Sequence, residues 1–197
     1  MRKPATADHP VHSLIAERWS PRVFAEDAVD DATLGSLFEA ARWASSCFNE
    51  QPWVYVWARR GTPAFDALLS ALVGPNQAWA QSAAVLVFGV ARTAFRRNGK
   101  QNAWAQYDLG QATAQLVLQG TSMGLVAHQM AGFVADTATD VLGLQDGETP
   151  VVALALGWPR PDLDGLDADL AEREAAPRAR QAQSDFVFEG RVARKGE

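Results

Sequence analysis

The sequence predicts a single domain that mixes helices and strands, of the α+β or α/β class, and three observations support this prediction. The predicted strands are few and are interleaved with helices. Of the 197 residues, 48% are hydrophobic and 21% are charged, so the chain can bury one sizeable core. Neither an internal repeat nor a low-complexity tract divides it.

The first third of the chain contains two helix patterns and one strand pattern. Residues Val11–Phe24 predict a short amphipathic helix that runs into a loop. Asp31 is the predicted N-cap of a second helix that ends around Trp43. The apolar stripe of that helix has helical spacing and consists of Leu34, Leu37, Phe38 and Ala41. After a polar loop, aromatic and β-branched residues predict a strand over Trp53–Ala58.

The middle of the chain continues this alternation. Thr62 and Pro63 predict a helix to about Val73, followed by a turn over Gly74-Pro75-Asn76. The nearly all-apolar segment Ala83–Val90 predicts a second strand that is covered on both faces. The basic, polar segment 92–101 predicts a surface loop or a mobile short helix.

Residues 102–123 form the longest predicted helix, with Gly124 as its C-terminal stop. This helix is apolar on more than one face, so we expect it to be central or covered by a partner. Asp136 is the predicted cap of a short helix that ends near Gly143, and Val151–Leu156 is a third predicted strand.

The last part of the chain is predicted to be an arm. Arg160–Arg180 is charged and poor in apolar residues, which predicts an extended segment lying on a surface. We therefore expect one domain over residues 1–197, with 160–197 as its C-terminal arm. The β-prone patch Phe186–Phe188 is expected to be able to add a strand to this sheet or to a neighbour's.

Composition excludes several classes of function. The net charge of −5, from 18 basic and 23 acidic residues, offers no footprint for nucleic acid or an anionic membrane. Cys47 is the single cysteine, which excludes an internal disulfide framework and a cysteine-rich metal site, and the three histidines are too scattered for a metal site. No segment approaches the ~20 apolar residues of a membrane span, and no signal peptide is visible. We expect a cytoplasmic protein.

Two polar segments are candidate binding elements. Arg18 and Arg22, with Ser20 between them, can present guanidinium groups and a hydroxyl to one anion. The alternative is a solvated turn in which the arginines pair with Glu17 or Glu26.

The second segment, residues 45–53, places hydroxyls and carboxamides between a helix end and a strand start. It can read the polar edge of a ligand, or it can be an ordinary connection. Cys47 has no base near it in sequence, so a nucleophilic role is rejected.

These two segments, in this order, resemble the nitroreductase family of FMN-dependent oxidoreductases. The resemblance continues through Gly124–Phe133, Leu156–Pro159 and Pro177–Arg180, with plausible spacing from about residue 12 to 180. It implies an α+β homodimer with a three-layer α/β/α sandwich, a mainly antiparallel sheet and a C-terminal arm that wraps the partner. Two FMN molecules are then expected in the subunit interface.

The resemblance also implies the FMN contacts. One chain is expected to supply Arg18, Trp19, Ser20 and Arg22, and the other Ser45, Ser46, Cys47 and Asn49. Asn76 is expected at the pyrimidine edge, with Gln129, Met130, Ala131 and Gly132 near flavin N5 and Arg178 and Arg180 at the phosphate. Arg22 near N1 and O2 favours reduction, because reduced flavin accumulates negative charge there. Ala131 is a departure, since nitroreductases commonly carry Glu at this position.

Three further residues have two interpretations each. His128 is either a structural histidine in an apolar segment or an acid or base. Phe95 and Trp104 either shape the substrate face of the flavin or belong to a core or an interface.

The expected activity is a ping-pong hydride transfer. NADH or NADPH reduces flavin N5, and an electron-poor small molecule (a nitroaromatic, quinone or enone) then takes the electrons without a catalytic side chain or a metal. One alternative is an FMN-binding relative that reduces one dedicated metabolite or lacks reductase turnover. Another is an interaction protein that has lost the cofactor.

Overall fold

A four-stranded antiparallel sheet forms the centre of the computed structural model, which describes residues 3–163 and 166–192. Its strands are β1 (Trp53–Arg59), β2 (Val85–Arg92), β3 (Val126–Met130) and β4 (Glu148–Gly157). The spatial order is β1-β2-β4-β3, so that β1 and β3 are the edges. Three strands were predicted to within three residues, whereas the short β3 was not predicted.

Helices cover both faces of the sheet. They are α1 (Ser13–Glu17), α2 (Asp31–Arg42), α3 (Pro63–Ser70), α4 (Gly74–Ala80), α5 (Ala105–Ser122), α6 (Ala135–Leu142) and α7 (Ala168–Ala175). Side chains of β2 alternate between faces, so Phe88 packs with α3, α4 and α6 while Val87 packs with α2 and α5. The predicted α+β class and three-layer α/β/α arrangement are confirmed.

Helix boundaries follow the predicted signals with small corrections. Asp30, not Asp31, caps α2, because Asp30 is extended and its Oδ1 accepts a hydrogen bond from the Thr33 N–H at 2.7 Å. The predicted cap at Asp136 is also wrong: Val134 is the N-cap of α6. Asp136 lies in the first turn, where its charge favours the helix N-terminus.

The predicted turn over Gly74-Pro75-Asn76 is wrong, because these residues begin α4. Pro75 suits a first helical turn, and Trp79 and Ala80 are buried against the core. Segment 92–101 is a surface loop as one alternative predicted: Ala94 and Gln101 bridge, and Gly99 has φ 69°.

The C-terminal arm is not wholly extended. Asp167 accepts hydrogen bonds from two backbone N–H groups of α7, and that helix turns Glu174 into the interior. Phe186–Phe188 are exposed and form no strand in the part of the chain that the structure describes. Residues 164–165 and 193–197 of the predicted arm, and 1–2 of the predicted domain, lie outside the described residues. Within 3–163 and 166–192, no helix is long and apolar enough to cross a membrane.

Candidate functional site

Three arginines from distant parts of the chain form a cluster of like charge, here called the arginine cluster: Arg18, Arg178 and Arg180. Burial, and then the positive charges of Arg178 and Arg180, lower the pKa of Arg18. Arg18 donates to Ser20 Oγ at 3.1 Å, and Arg178 donates to the carbonyls of Lys3 and Ala16 at 2.7 Å each. Within the described ranges none of the three pairs with a carboxylate. The arrangement is therefore an uncompensated cationic site suited to an anion.

Glu174 holds α7 against residues 18–22, here called the arginine loop, which carry Arg18 and Arg22. Its side chain is 1% exposed, and its Oε1 accepts a hydrogen bond from the Arg22 N–H at 3.1 Å and lies 3.5 Å from Arg22 Nη1. Its Oε2 has no hydrogen-bond partner. Burial raises the pKa of Glu174, against the opposing effects of Arg22 and Lys3. Because α7 precedes Arg178 directly, this contact brings the C-terminal arginine to the site.

His128 joins the arginine loop to the edge strand β3. Its Nδ1 lies 2.9 Å from the carbonyl oxygen of Pro21, and since a carbonyl only accepts, Nδ1 is the donor. The imidazole centroid is 4.6 Å from that of Trp79. Burial lowers the pKa of His128, and the charges of Arg22 and Arg18 lower it further. The ring is thus neutral at pH 7, which favours the structural interpretation over an acid or base.

The segment after β3 brings Asn76 and Gly132 together. The Gly132 carbonyl accepts a hydrogen bond from Asn76 Nδ2 at 3.0 Å. Gln129 and Ala131 are exposed, whereas the Met130 side chain is buried in the core at 5% exposure. Met130 therefore offers its backbone rather than its side chain. The N–H groups of Ala131 and Gly132 donate to no acceptor among the described residues.

Trp19 borders a cavity beside the arginine loop. The ring is 8% exposed, and Lys3 Nζ lies 5.1 Å from its centroid. The cavity has a volume of about 470 Å³ and is mostly apolar. It lies at the C-terminal end of α5, next to Thr121 and Ser122.

The polar loop before β1 lines a second cleft of about 260 Å³. Its other wall is the start of α5, and the lining residues are Ser45, Ser46, Cys47, Trp104, Tyr107, Asp108 and Gln111. The Cys47 N–H donates to Asp108 Oδ2 at 3.0 Å, and Ser45 Oγ donates to Gln111 Oε1 at 3.0 Å. Asp108 is 2% exposed and fixes the loop.

Residues 48–51 of this loop have a strained backbone. Phe48, Asn49 and Gln51 have φ values of 54°, 56° and 51°, a region that side chains other than glycine rarely adopt. Glu50, 6% exposed, accepts hydrogen bonds from the Arg96 N–H at 2.7 Å and from Arg96 Nε at 3.1 Å. The hydrogen bond from the Arg96 backbone N–H lowers the pKa of Glu50 most, and the Arg96 guanidinium lowers it further. These contacts join the loop to segment 92–101.

The two sets of expected site residues lie at opposite ends of α5. The second cleft touches Asp108, and the cavity beside Trp19 touches Thr121, about 13 residues and so about 20 Å further along the helix. One chain therefore does not bring Ser45, Ser46, Cys47 and Asn49 to the arginine cluster. In the described part of the chain no group of three or more His, Cys, Asp or Glu side chains is arranged to hold a metal ion.

Two residues of the site, Glu174 and Asp108, were missed by the sequence prediction. Glu174 contacts a residue 152 positions away, and Asp108 one 61 positions away. Both are acidic residues on exposed-looking helical patterns, and no local pattern marks either as buried. The available signal for Glu174 and Asp108 was that their partners, Arg22 and Cys47, were expected to contact a ligand.

Comparison with known proteins gives a consistent result. A model described as the Nitroreductase family matches residues 15–158. An uncharacterized 15.4 kDa protein in the ask 5′ region of Mycolicibacterium smegmatis is 34% identical over 137 residues, which cover 66% of this chain and 88% of that protein.

Solved structures show the same fold. A crystal structure of an oxidoreductase containing FMN has a TM-score of 0.89 and 34% identity, and covers 95% of this chain and 96% of its own. A putative nitroreductase in complex with FMN from Desulfovibrio desulfuricans has a TM-score of 0.71 and 21% identity, and covers 95% and 100%.

Proposed function

The chain belongs to the nitroreductase family, and from this membership we propose that it is an FMN-dependent oxidoreductase. It takes hydride from NADH or NADPH and passes it to an electron-poor acceptor such as a nitroaromatic, a quinone or an enone. The uncompensated arginine cluster is the observation that supports FMN binding most directly.

The arginine cluster fits the phosphate of FMN. Arg18, Arg178 and Arg180 repel one another, and a phosphate dianion among them removes that repulsion and accepts charge-assisted hydrogen bonds. Guanidinium groups suit this role because their planar donors match phosphate oxygens. The binding of the phosphate is therefore expected to stabilise the folded protein.

Other residues around the arginine loop fit the ring. FMN, when bound, supplies the hydride chemistry at N5. Arg22, whose Nη1 lies 3.5 Å from Glu174, would hold positive charge near N1 and O2, and Asn76 would contact the pyrimidine edge. The N–H groups of Ala131 and Gly132 have no acceptor among the described residues, so they are available as donors to N5. Ala131 brings no charge to that position.

The separation along α5 supports a homodimer. About 20 Å of α5 separates the cavity beside Trp19 from the cleft that the loop before β1 lines. The polar residues of that loop therefore contact the FMN of the other subunit; they are Ser45, Ser46, Cys47 and Asn49. Residues 181–192, which follow the arginine cluster and are exposed in the single chain, are then available to lie along the partner. Each site is complete only with two copies of the chain.

Protein side chains position the reactants and hold charge, without exchanging protons with them. His128 is kept neutral by its lowered pKa, and its Nδ1 is committed to the Pro21 carbonyl. Solvent supplies the protons. The donor leaves before the acceptor enters, which gives ping-pong kinetics.

A spectrum of the purified protein tests this proposal. We expect flavin absorbance that bleaches on anaerobic addition of NADH or NADPH and returns on addition of a quinone. Arg18→Gln is expected to weaken FMN binding by about ten-fold or more, the effect of one lost charge-assisted hydrogen bond. Arg173→Gln, an equal change of charge at an exposed position of α7, is the matched control. A colourless protein whose melting temperature FMN does not raise contradicts the proposal.

Ala131 favours one alternative. Because this position lacks the commoner glutamate, the second candidate function is that of an FMN-binding relative that reduces one dedicated metabolite or lacks turnover. Tightly bound FMN that neither nicotinamide bleaches identifies this case.

A further inference from the structure

Segment 92–101 carries a local excess of positive charge in a chain whose net charge is −5. Two of its basic side chains are already paired. Arg92 Nε lies 3.3 Å from Glu148 Oε1, and Arg96 is bound to Glu50. Two remain: Arg97 and Lys100 form no ion pair within the described ranges.

Arg97 is held in a stack of aromatic rings. Its Cζ lies 4.1 Å from the ring centroid of Phe48 and 5.2 Å from that of Phe95, and the two rings meet edge to face at 6.2 Å. Stacking occupies the face of a guanidinium and leaves its N–H donors free in the plane. Arg97 is therefore oriented in advance to bind an oxyanion with two donors.

The stack continues in sequence from the loop that lines the second cleft. Phe48 is 72% exposed and directly follows Cys47, which lines that cleft. The strained backbone at Phe48 turns its ring outward, and the ion pair between Glu50 and Arg96 fixes the loop against segment 92–101. An exposed ring beside an oriented, unpaired guanidinium suits a ligand that joins an aromatic base to a phosphate.

We propose that Arg97 binds the 2′-phosphate of NADPH, with the exposed ring of Phe48 accepting its adenine, so that NADPH rather than NADH is the hydride donor. This inference rests on the proposed function, which supplies the nicotinamide reaction. Segment 92–101 has four basic residues, and ion pairs occupy Arg92 and Arg96. Of the other two, Arg97 is the one that the aromatic stack holds in place.

A binding experiment on the FMN-loaded protein tests the site without any turnover. We expect 2′,5′-ADP to bind at least about ten-fold more tightly than 5′-ADP by calorimetry at low salt, the preference given by one charge-assisted contact. Arg97→Gln should remove this preference, and added salt should reduce it. Arg42→Gln is the matched control, because Arg42 also stacks on an aromatic ring, Trp43 at 5.0 Å, but is paired with Glu39.

Kinetics on the same protein separate the two proposals. The rate of flavin reduction at low donor concentration should favour NADPH over NADH by a similar factor, and Arg97→Gln should equalise the donors while the flavin stays bound. Arg97→Lys, which keeps the charge but loses the planar donors, should give an intermediate preference. Equal binding of the two ADP isomers by the unaltered protein, or equal effects of Arg97→Gln and Arg42→Gln, overturns the inference. If neither donor reduces the flavin, the proposed function fails, and the ADP comparison alone decides about the site.

Discussion

Replacing Glu174 by alanine should loosen α7 from the arginine loop. The substitution removes the buried acceptor of the Arg22 N–H, a charge-assisted bond for which about 1.5–3 kcal/mol is typical. The buried, unpartnered Oε2 of Glu174 destabilises the folded protein, and its removal offsets part of the lost hydrogen bond. We therefore expect the free energy of unfolding to fall by about 2 kcal/mol. For a domain of this size the melting temperature then falls by about 4–8 °C.

Calorimetric melting at a fixed protomer concentration measures the effect. Glu172→Ala is the control, since Glu172 is an exposed residue of the same helix. Glu174→Gln retains an acceptor for the Arg22 N–H and should lose about 1 kcal/mol or less. FMN should bind Glu174→Ala more weakly than the unaltered protein, because Arg178 and Arg180 depend on α7 for their position. Equal melting temperatures for Glu174→Ala and Glu172→Ala would refute this account of the docking.

Three further predictions concern the same site. Arg22→Ala should weaken FMN retention or lower the reduction potential of the bound flavin, while Arg173→Ala, at an exposed position of α7, leaves both unchanged; equal effects on the flavin spectrum and potential count against the assignment of Arg22. Burial lowers the pKa of His128 below its ordinary value of 6.5, so the folded state binds this proton less tightly than the unfolded state. Stability is therefore lost as the pH falls below 6.5, the ordinary pKa of histidine, and urea unfolding should show a smaller loss in His128→Gln. Dilution that dissociates the dimer should release FMN in parallel, and a monomer that keeps its FMN contradicts the shared site.

Local signals explain why much of the fold was predictable. Thr62 accepts a hydrogen bond from the Phe65 N–H at the start of α3, and Gly143 ends α6 with φ 65°, as the sequence indicated. The nearly all-apolar β2 is buried along most of its length. In each case the cause lies within a few residues of the pattern, so no knowledge of distant contacts was needed.

The errors arose where packing between distant segments decides the structure. β3 is only five residues long and contains polar His128 and Gln129, so it lacks a strand pattern and exists through pairing with β4. Glu174 looks like a solvated residue in a charged stretch until α7 meets the arginine loop. For the site, the family resemblance implied that Arg18 and Arg178 lie together, and they do lie close enough to repel each other. Neither the resemblance nor the sequence pattern identified Glu174, which docks α7 beside them.

The late position of α7 in the chain has a consequence for biosynthesis. β4 ends at Gly157, so the ribosome has made every strand of the sheet before it makes α7. A nascent chain can then complete its core while two of the three cationic groups of the anion site are still absent. If the arginine cluster binds FMN as proposed, FMN is captured only after the strands of the sheet have been made.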